Sequence, residues 1–102
     1  MSKEVNLLAV LEKLKTEKPE VAMAINNLRT TIINNSALDQ KTNALVGIGI
    51  AVAIKDKNAL AGHIEIAKQS GASKEEIESC ILMATPAIGV PAVLEALSIT
   101  WE

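Results

Sequence analysis

The sequence predicts an all-α domain of about six helices joined by short loops. Three observations carry this. Apolar residues recur three and four apart along most of the chain, helix-capping residues stand in front of these stripes, and the signals of strand hairpins are missing. No internal repeat or linker divides the 102 residues, so residues 1–102 read as one domain.

Leu7, Leu11 and Leu14 form one apolar stripe with Leu8 beside it, which predicts a first helix over residues 4–17. Lys18-Pro19 ends it, because proline fits the first turn of a helix better than its interior. Val21, Ile25, Leu28 and Ile32 then line one face of a second helix that frays through Asn34, Asn35 and Ser36. Asp39 is the N-cap of a third helix running to about Lys55. Beyond Ala44 this helix is apolar all round, so it must be central or covered by another subunit. Gly47 and Gly49 lower its propensity but allow close backbone approach. The same stretch, GIGIAVAI, reads alternatively as a buried strand, although nothing nearby offers it a pairing partner.

Asp56 or Asn58 caps a fourth helix that ends at Ser70-Gly71. Ser73 and Glu76 make a capping box for the fifth, whose inner face is Ile77, Cys80, Ile81 and Ala84. Thr85-Pro86 opens a break containing Gly89, and a last helix runs from about Pro91 to the end.

Composition excludes several functions. Hydrophobic residues make up 49% of the chain, yet Trp101 is the sole aromatic, so the core is aliphatic and no stacking platform for exposed bases exists. The net charge is −2, and nine lysines and Arg29 are scattered, without the basic patch that a nucleic-acid partner requires. The single cysteine excludes an intrachain disulfide. The start, MSKEVN, is unlike a signal peptide, and the longest apolar run, Ala44–Ile54, is 11 residues, too short for a bilayer. The expected compartment is the cytoplasm, with no membrane partner.

Few residues can carry chemistry. His63, the only histidine, lies in the apolar stripe of the fourth helix beside Leu60, Ile64 and Ala67. It reads either as a general acid or base near neutral pH or as a buried or interface histidine donating one hydrogen bond. No second histidine or thiol stands at ligand spacing, so no metal site is expected, and nothing calls for a cofactor. Cys80 reads as a small core residue. Gly47-Ile48-Gly49 lacks the third glycine and the preceding strand of a dinucleotide loop. Lys55, Asp56 and Lys57 make a charged cluster at a helix junction near His63, either a solvated cap or a grip for a carboxylate substrate.

The order of these signals resembles a known family. Ala37-Leu38-Asp39-Gln40-Lys41-Thr42, an apolar helix, His63 eight residues past its end, and Gly71-Ala72-Ser73-Lys74-Glu75-Glu76-Ile77 are together similar to the carboxymuconolactone decarboxylase family. Gly89-Val90-Pro91-Ala92-Val93-Leu94-Glu95-Ala96-Leu97 resembles its next signature, and the likeness covers about residues 36–98. The resemblance implies an alkylhydroperoxidase D-like all-α fold assembled as a ring-like homo-oligomer, a hexamer, acting on a small-molecule ligand.

It also implies one of two chemistries. In the thiol-peroxidase branch, the Cys-x-x-Cys-x-x-x-His motif would place its histidine on His63, its cysteines on Asp56 and Ala59, and its upstream glutamate on Ala44. Both sulfurs needed to attack a peroxide and resolve the sulfenic acid are absent there. The decarboxylase branch keeps a histidine at the position of His63. There His63 would be the acid, with Lys55, Lys57 or Arg29 holding carboxylates. Pro86, Ala87 and Ile88 replace the aromatics that decarboxylases place before the Gly-x-Pro turn, a departure that bears on the lactone as substrate. The leading expectation is acid/base chemistry on a small carboxylated molecule. A peroxidase relative and a non-enzymatic oligomeric binding module are the alternatives.

Overall fold

The computed structural model describes residues 7–101, with their side chains from residue 9. The described residues form seven helical segments and no strand. They are α1 (Leu7–Glu17), α2 (Pro19–Asn34), α3 (Gln40–Ala53), α4 (Lys57–Gln69), α5 (Lys74–Leu82), α6 (Thr85–Ile88) and α7 (Val90–Thr100). The predicted start of the first helix at residues 4–6, and the side chains of Leu7 and Leu8 in its stripe, lie outside the described residues.

Local chemistry sets most boundaries. Asp39 accepts from the Thr42 N–H at 2.7 Å and Asp56 from the Ala59 N–H at 3.0 Å, each supplying one orphan donor of a first turn. Of the two candidate caps for α4, Asp56 is the one used. The capping box of α5 is complete: Glu76 N–H donates to Ser73 Oγ at 3.0 Å, and Ser73 N–H to Glu76 Oε1 at 2.9 Å.

Helices α3 and α4 end alike. The Gly71 and Ala72 N–H groups return to the Lys68 and Ala67 carbonyls, and the Lys55 and Asp56 N–H groups return to those of Val52 and Ala51. Gly71 takes the left-handed conformation at φ +89° at little cost, whereas Lys55 holds φ +59° despite its side chain.

One expectation is corrected in form. The break predicted after Thr85-Pro86 is a short helix, α6, because proline fits a first turn. Gly89, at φ +86°, makes the turn into α7 instead. This is why seven segments appear where six were expected.

The core lies where α3, α4, α5 and α7 meet, with α3 against α4 and α5, and α7 against α4 and α5. Ile48, Leu60, Ile77 and Ile81 are fully buried at its centre, each contributing about 1.5–3 kcal/mol by leaving water. Ala44, Ala51, Ala67 and Ala96 let the helix backbones close around them. Cys80 is only partly buried at the edge of this core.

Helices α1 and α2 pair with each other, and α1 rests on α4. The molecule is 41 × 41 × 22 Å, about two helix diameters thick, so much apolar surface has no second layer. Of the stripe on α2, Ile25 is half-buried, while Val21, Leu28 and Ile32 are exposed in the single chain. On α3, Ala44, Ile48, Ala51 and Val52 face inward, and Val46, Ile50 and Ile54 stand 46%, 58% and 63% exposed as an outward apolar stripe. No helix among the described residues is long and apolar enough to cross a membrane.

Candidate functional site

His63 sits in the second turn of α4, between the buried Leu60 and Ile64, and is itself partly buried. It can lie close to α3 because the residue below it is a glycine. A β-carbon at Gly47 would stand 2.6 Å from His63 Nδ1, 2.9 Å from Cε1 and 3.2 Å from Cγ. The Nδ1–Cε1 edge of the imidazole therefore rests on the α3 backbone, and Nε2 lies on the far side of the ring from Gly47. A β-carbon at Gly49 meets nothing within 4 Å. Of the two glycines expected to permit close approach, only Gly47 is used so.

His63 borders a cavity of about 270 Å³ between α2, α3 and α4, just below the usual small-molecule range of about 300–1,000 Å³. Arg29, Ile32 and Ile33 of α2 form one wall, Gln40, Asn43 and Ala44 of α3 a second, and His63, Ile66 and Ser70 the third. Two of its polar groups are committed: Asn43 Oδ1 accepts from Ser36 Oγ at 2.7 Å, and Ser70 Oγ donates to the Ile66 carbonyl at 2.8 Å. Among the described residues, the side chains of His63, Arg29 and Gln40 have no hydrogen-bond or ion-pair partner. Among the described residues, no fully buried polar side-chain atom lacks a partner, so the unpaired imidazole nitrogens are open to accessible space.

Burial, and then the Arg29 guanidinium, hold the His63 imidazole below its ordinary pKa. Both disfavour the imidazolium, so the ring is neutral at neutral pH. A neutral imidazole and a permanent cation thus share one largely aliphatic cavity. That pairing can grip an anion and move a proton beside it.

The charged cluster at the α3–α4 junction lies elsewhere. Lys55, Asp56 and Lys57 line a separate cleft of about 60 Å³ with Leu60, Ala92 and Glu95. Two of these charges already have roles: Asp56 caps α4, and Lys57 Nζ pairs with Glu95 Oε1 at 2.5 Å. The structure therefore brings together His63 and Arg29 from the predicted site residues and separates Lys55, Asp56 and Lys57 from them. Arg29 also borders a space of about 450 Å³ between α1, α2 and α4, where Glu12 and Lys15 pair at 2.8 Å.

Gln40 and Asn43 were not singled out in the sequence. The signal was present: Gln40, Asn43, Ala44 and Gly47 recur at three- and four-residue spacing on one face of α3. The positions matching the peroxidase motif hold no sulfur: Asp56 is a cap, Ala59 is half-buried, and Ala44 presents a methyl group to the His63 cavity. Burial, and then Glu76, push the Cys80 thiol up, which keeps it protonated at neutral pH. No group of three His, Cys, Asp or Glu among the described residues is placed to hold a metal ion.

Comparison with known proteins agrees with this architecture. Two uncharacterized proteins of Methanocaldococcus jannaschii are similar to the chain. One is 30% identical, covering 97% of this chain and 96% of its own length. The other is 25% identical over 90% and 86%. The crystal structure of an apo carboxymuconolactone decarboxylase family protein from Legionella pneumophila superposes with a TM-score of 0.78, at 25% identity, covering 93% of this chain and 85% of that one. The family model described as "Carboxymuconolactone decarboxylase family" matches residues 19–102, further toward the N-terminus than the motifs alone suggest. By this match, the chain belongs to the carboxymuconolactone decarboxylase family.

Proposed function

We propose that the protein is a carboxymuconolactone decarboxylase-like enzyme that carries out acid/base chemistry on a small carboxylated molecule in the His63–Arg29 cavity. One observation carries this reading: the only histidine and the only arginine, 34 positions apart, line the same cavity, with no protein partner for either side chain among the described residues. The aliphatic walls, Ile32, Ile33 and Ile66, suit a compact apolar body carrying the carboxylate.

The proton inventory follows from the electrostatics. Arg29 holds a carboxylate, or the oxyanion of an enolate, by charge-assisted hydrogen bonds. The bound anion offsets the guanidinium's effect on His63 and raises the imidazole pKa, so substrate binding draws a proton onto the ring. In a decarboxylation of a substrate with a carbonyl adjacent to the carboxylate-bearing carbon, the C–C bond to the carboxylate breaks, CO2 leaves, the bonding electron pair passes into the carbonyl as an enolate, and protonated His63 gives its proton to the carbon that carried the carboxylate. The test is a thermal-shift screen of small carboxylates followed by turnover assays of the hits. A ligand that stabilises the parent protein but not an Arg29→Met variant supports the reading. Equal stabilisation of both proteins counts against it.

A second reading, a non-enzymatic binding module, is favoured by one feature: among the described residues no hydrogen bond orients the imidazole from behind, as a general base usually requires. Ligand binding with no turnover of any bound carboxylate would select it.

The exposed stripe Val46, Ile50 and Ile54 supports assembly as a homo-oligomer, a hexamer by family likeness, in which a second copy covers α3. Sedimentation at micromolar concentration should show a multiple of 10.8 kDa. A monomer throughout would refute it.

A further inference from the structure

A histidine that transfers protons is normally held by a hydrogen bond to its second ring nitrogen, which fixes both tautomer and direction. His63 has no such bond among the described residues. Something else must limit its two side-chain torsions, and the geometry shows a steric seat. The imidazole lies on α3 at the one position where a side chain would collide with it, 2.6 Å from Nδ1 and 2.9 Å from Cε1. Two residues on, a β-carbon at Gly49 meets nothing within 4 Å in the single chain, so no contact within the chain requires glycine there. Glycine inside a helix destabilises it relative to alanine. At Gly47 that cost coincides with contact to a group lining the cavity.

We propose that Gly47 is a positioning residue for His63: its bare backbone forms the slot that holds the imidazole against α3, leaving Nε2 as the nitrogen that meets the ligand. This rests on the reading of His63 as the proton-transferring group. The group in the way of an added methyl is the end of a side chain with two free torsions, not backbone. The methyl therefore turns the ring out of its slot before it disrupts the helix packing. The slot does without an orienting acceptor, so the ring stays free to gain and lose a proton without breaking an internal hydrogen bond.

The chain has one histidine, so a single imidazole resonance reports on the site. The test compares Gly47→Ala with Gly49→Ala in the full chain, following His63 by NMR through a pH titration, with and without isobutyrate as probe. Gly49→Ala should leave the His63 titration midpoint and isobutyrate affinity unchanged and raise the melting temperature. Gly47→Ala should move the midpoint up toward that of an ordinary histidine and weaken isobutyrate binding roughly tenfold or more, the scale expected of a misplaced binding group.

The double variant Gly47→Ala/His63→Ala has no ring to displace. It should melt above His63→Ala alone, as Gly49→Ala melts above the parent. Should Gly47→Ala fail to fold, refolding of the double variant supports the slot, and failure of both to fold overturns it. An unchanged midpoint in Gly47→Ala, with the same gain in melting temperature as Gly49→Ala, also overturns it. If isobutyrate never perturbs the imidazole of the parent, the carboxylate reading fails, and the titration midpoints and double variant still decide the role of Gly47.

Discussion

Two polar clusters line separate spaces beside α4, and they differ in what their charges already do. At the α3–α4 junction, Lys55, Asp56 and Lys57 are consecutive and exposed, and two of the three are engaged: Asp56 caps a helix and Lys57 pairs with Glu95. In the second cavity, His63 and Arg29 come from different helices, are partly buried, and have no protein partner among the described residues. In the denser cluster two of the three charges are committed, and the third, on Lys55, is exposed to water. The sparse one has nearly all of its capacity left, in a setting where water screens it less. Charge density along a sequence is thus a poor guide to where chemistry occurs. Unspent charge that converges in space is a better one.

Variants should separate the two regions sharply. His63→Gln is expected to lower any turnover by roughly two to four orders of magnitude while leaving the assembly intact. Lys57→Ala breaks only an exposed ion pair, and turnover should stay close to that of the parent. If the two variants lose activity equally in steady-state assays, the contrast collapses.

Between about pH 7 and pH 5, stability should depend on pH through the cavity. The folded-state pKa of His63 lies below its unfolded value near 6.5, so the folded state favours the neutral ring. The stabilisation from this group is complete above the unfolded pKa and is lost as pH falls through the folded one. Thermal melts of the parent should therefore lose more stability between about pH 7 and pH 5 than those of His63→Gln. Parallel curves for the two proteins would show that the ring is not held in its neutral form.

The smallest effect is expected at the junction. Asp56→Ala should cost about 1 kcal/mol of stability, the usual value of an N-cap, with carboxylate affinity unchanged. Chemical denaturation with a parallel ligand titration measures both. A marked loss of affinity would return the junction to the binding site.

How much of this was legible in the sequence depends on the range of the interaction. The caps at Asp39 and Asp56, the Ser73–Glu76 box and the Gly71 terminus were readable because each involves residues three to five apart. The exposed apolar surface of α3 was foreshadowed by a helix that is apolar all round beyond Ala44, though which residues face outward was not. Thr85–Ile88 misled, because proline marks both a break and a first turn, and four residues contain no period to choose between them. The site was half legible. His63 stood out as the only histidine, but Lys55, Lys57 and Arg29 were equivalent as candidate cations. Only the packing of α2, α3 and α4 around one cavity distinguishes Arg29. Gly47 and Gly49 were likewise indistinguishable until α4 supplied a ring above one of them.

The central claim, that Arg29 and His63 act on one carboxylate, is tested most directly by titrating isobutyrate against the single imidazole resonance in the parent and in Arg29→Met. In the parent, the resonance should shift saturably and the His63 titration midpoint should rise when ligand is bound, since the anion offsets the guanidinium. In Arg29→Met, the midpoint should be higher than in the parent before any ligand is added, and isobutyrate should change it little. Saturable shifts of equal size and affinity in both proteins, or none in the parent, would contradict the account.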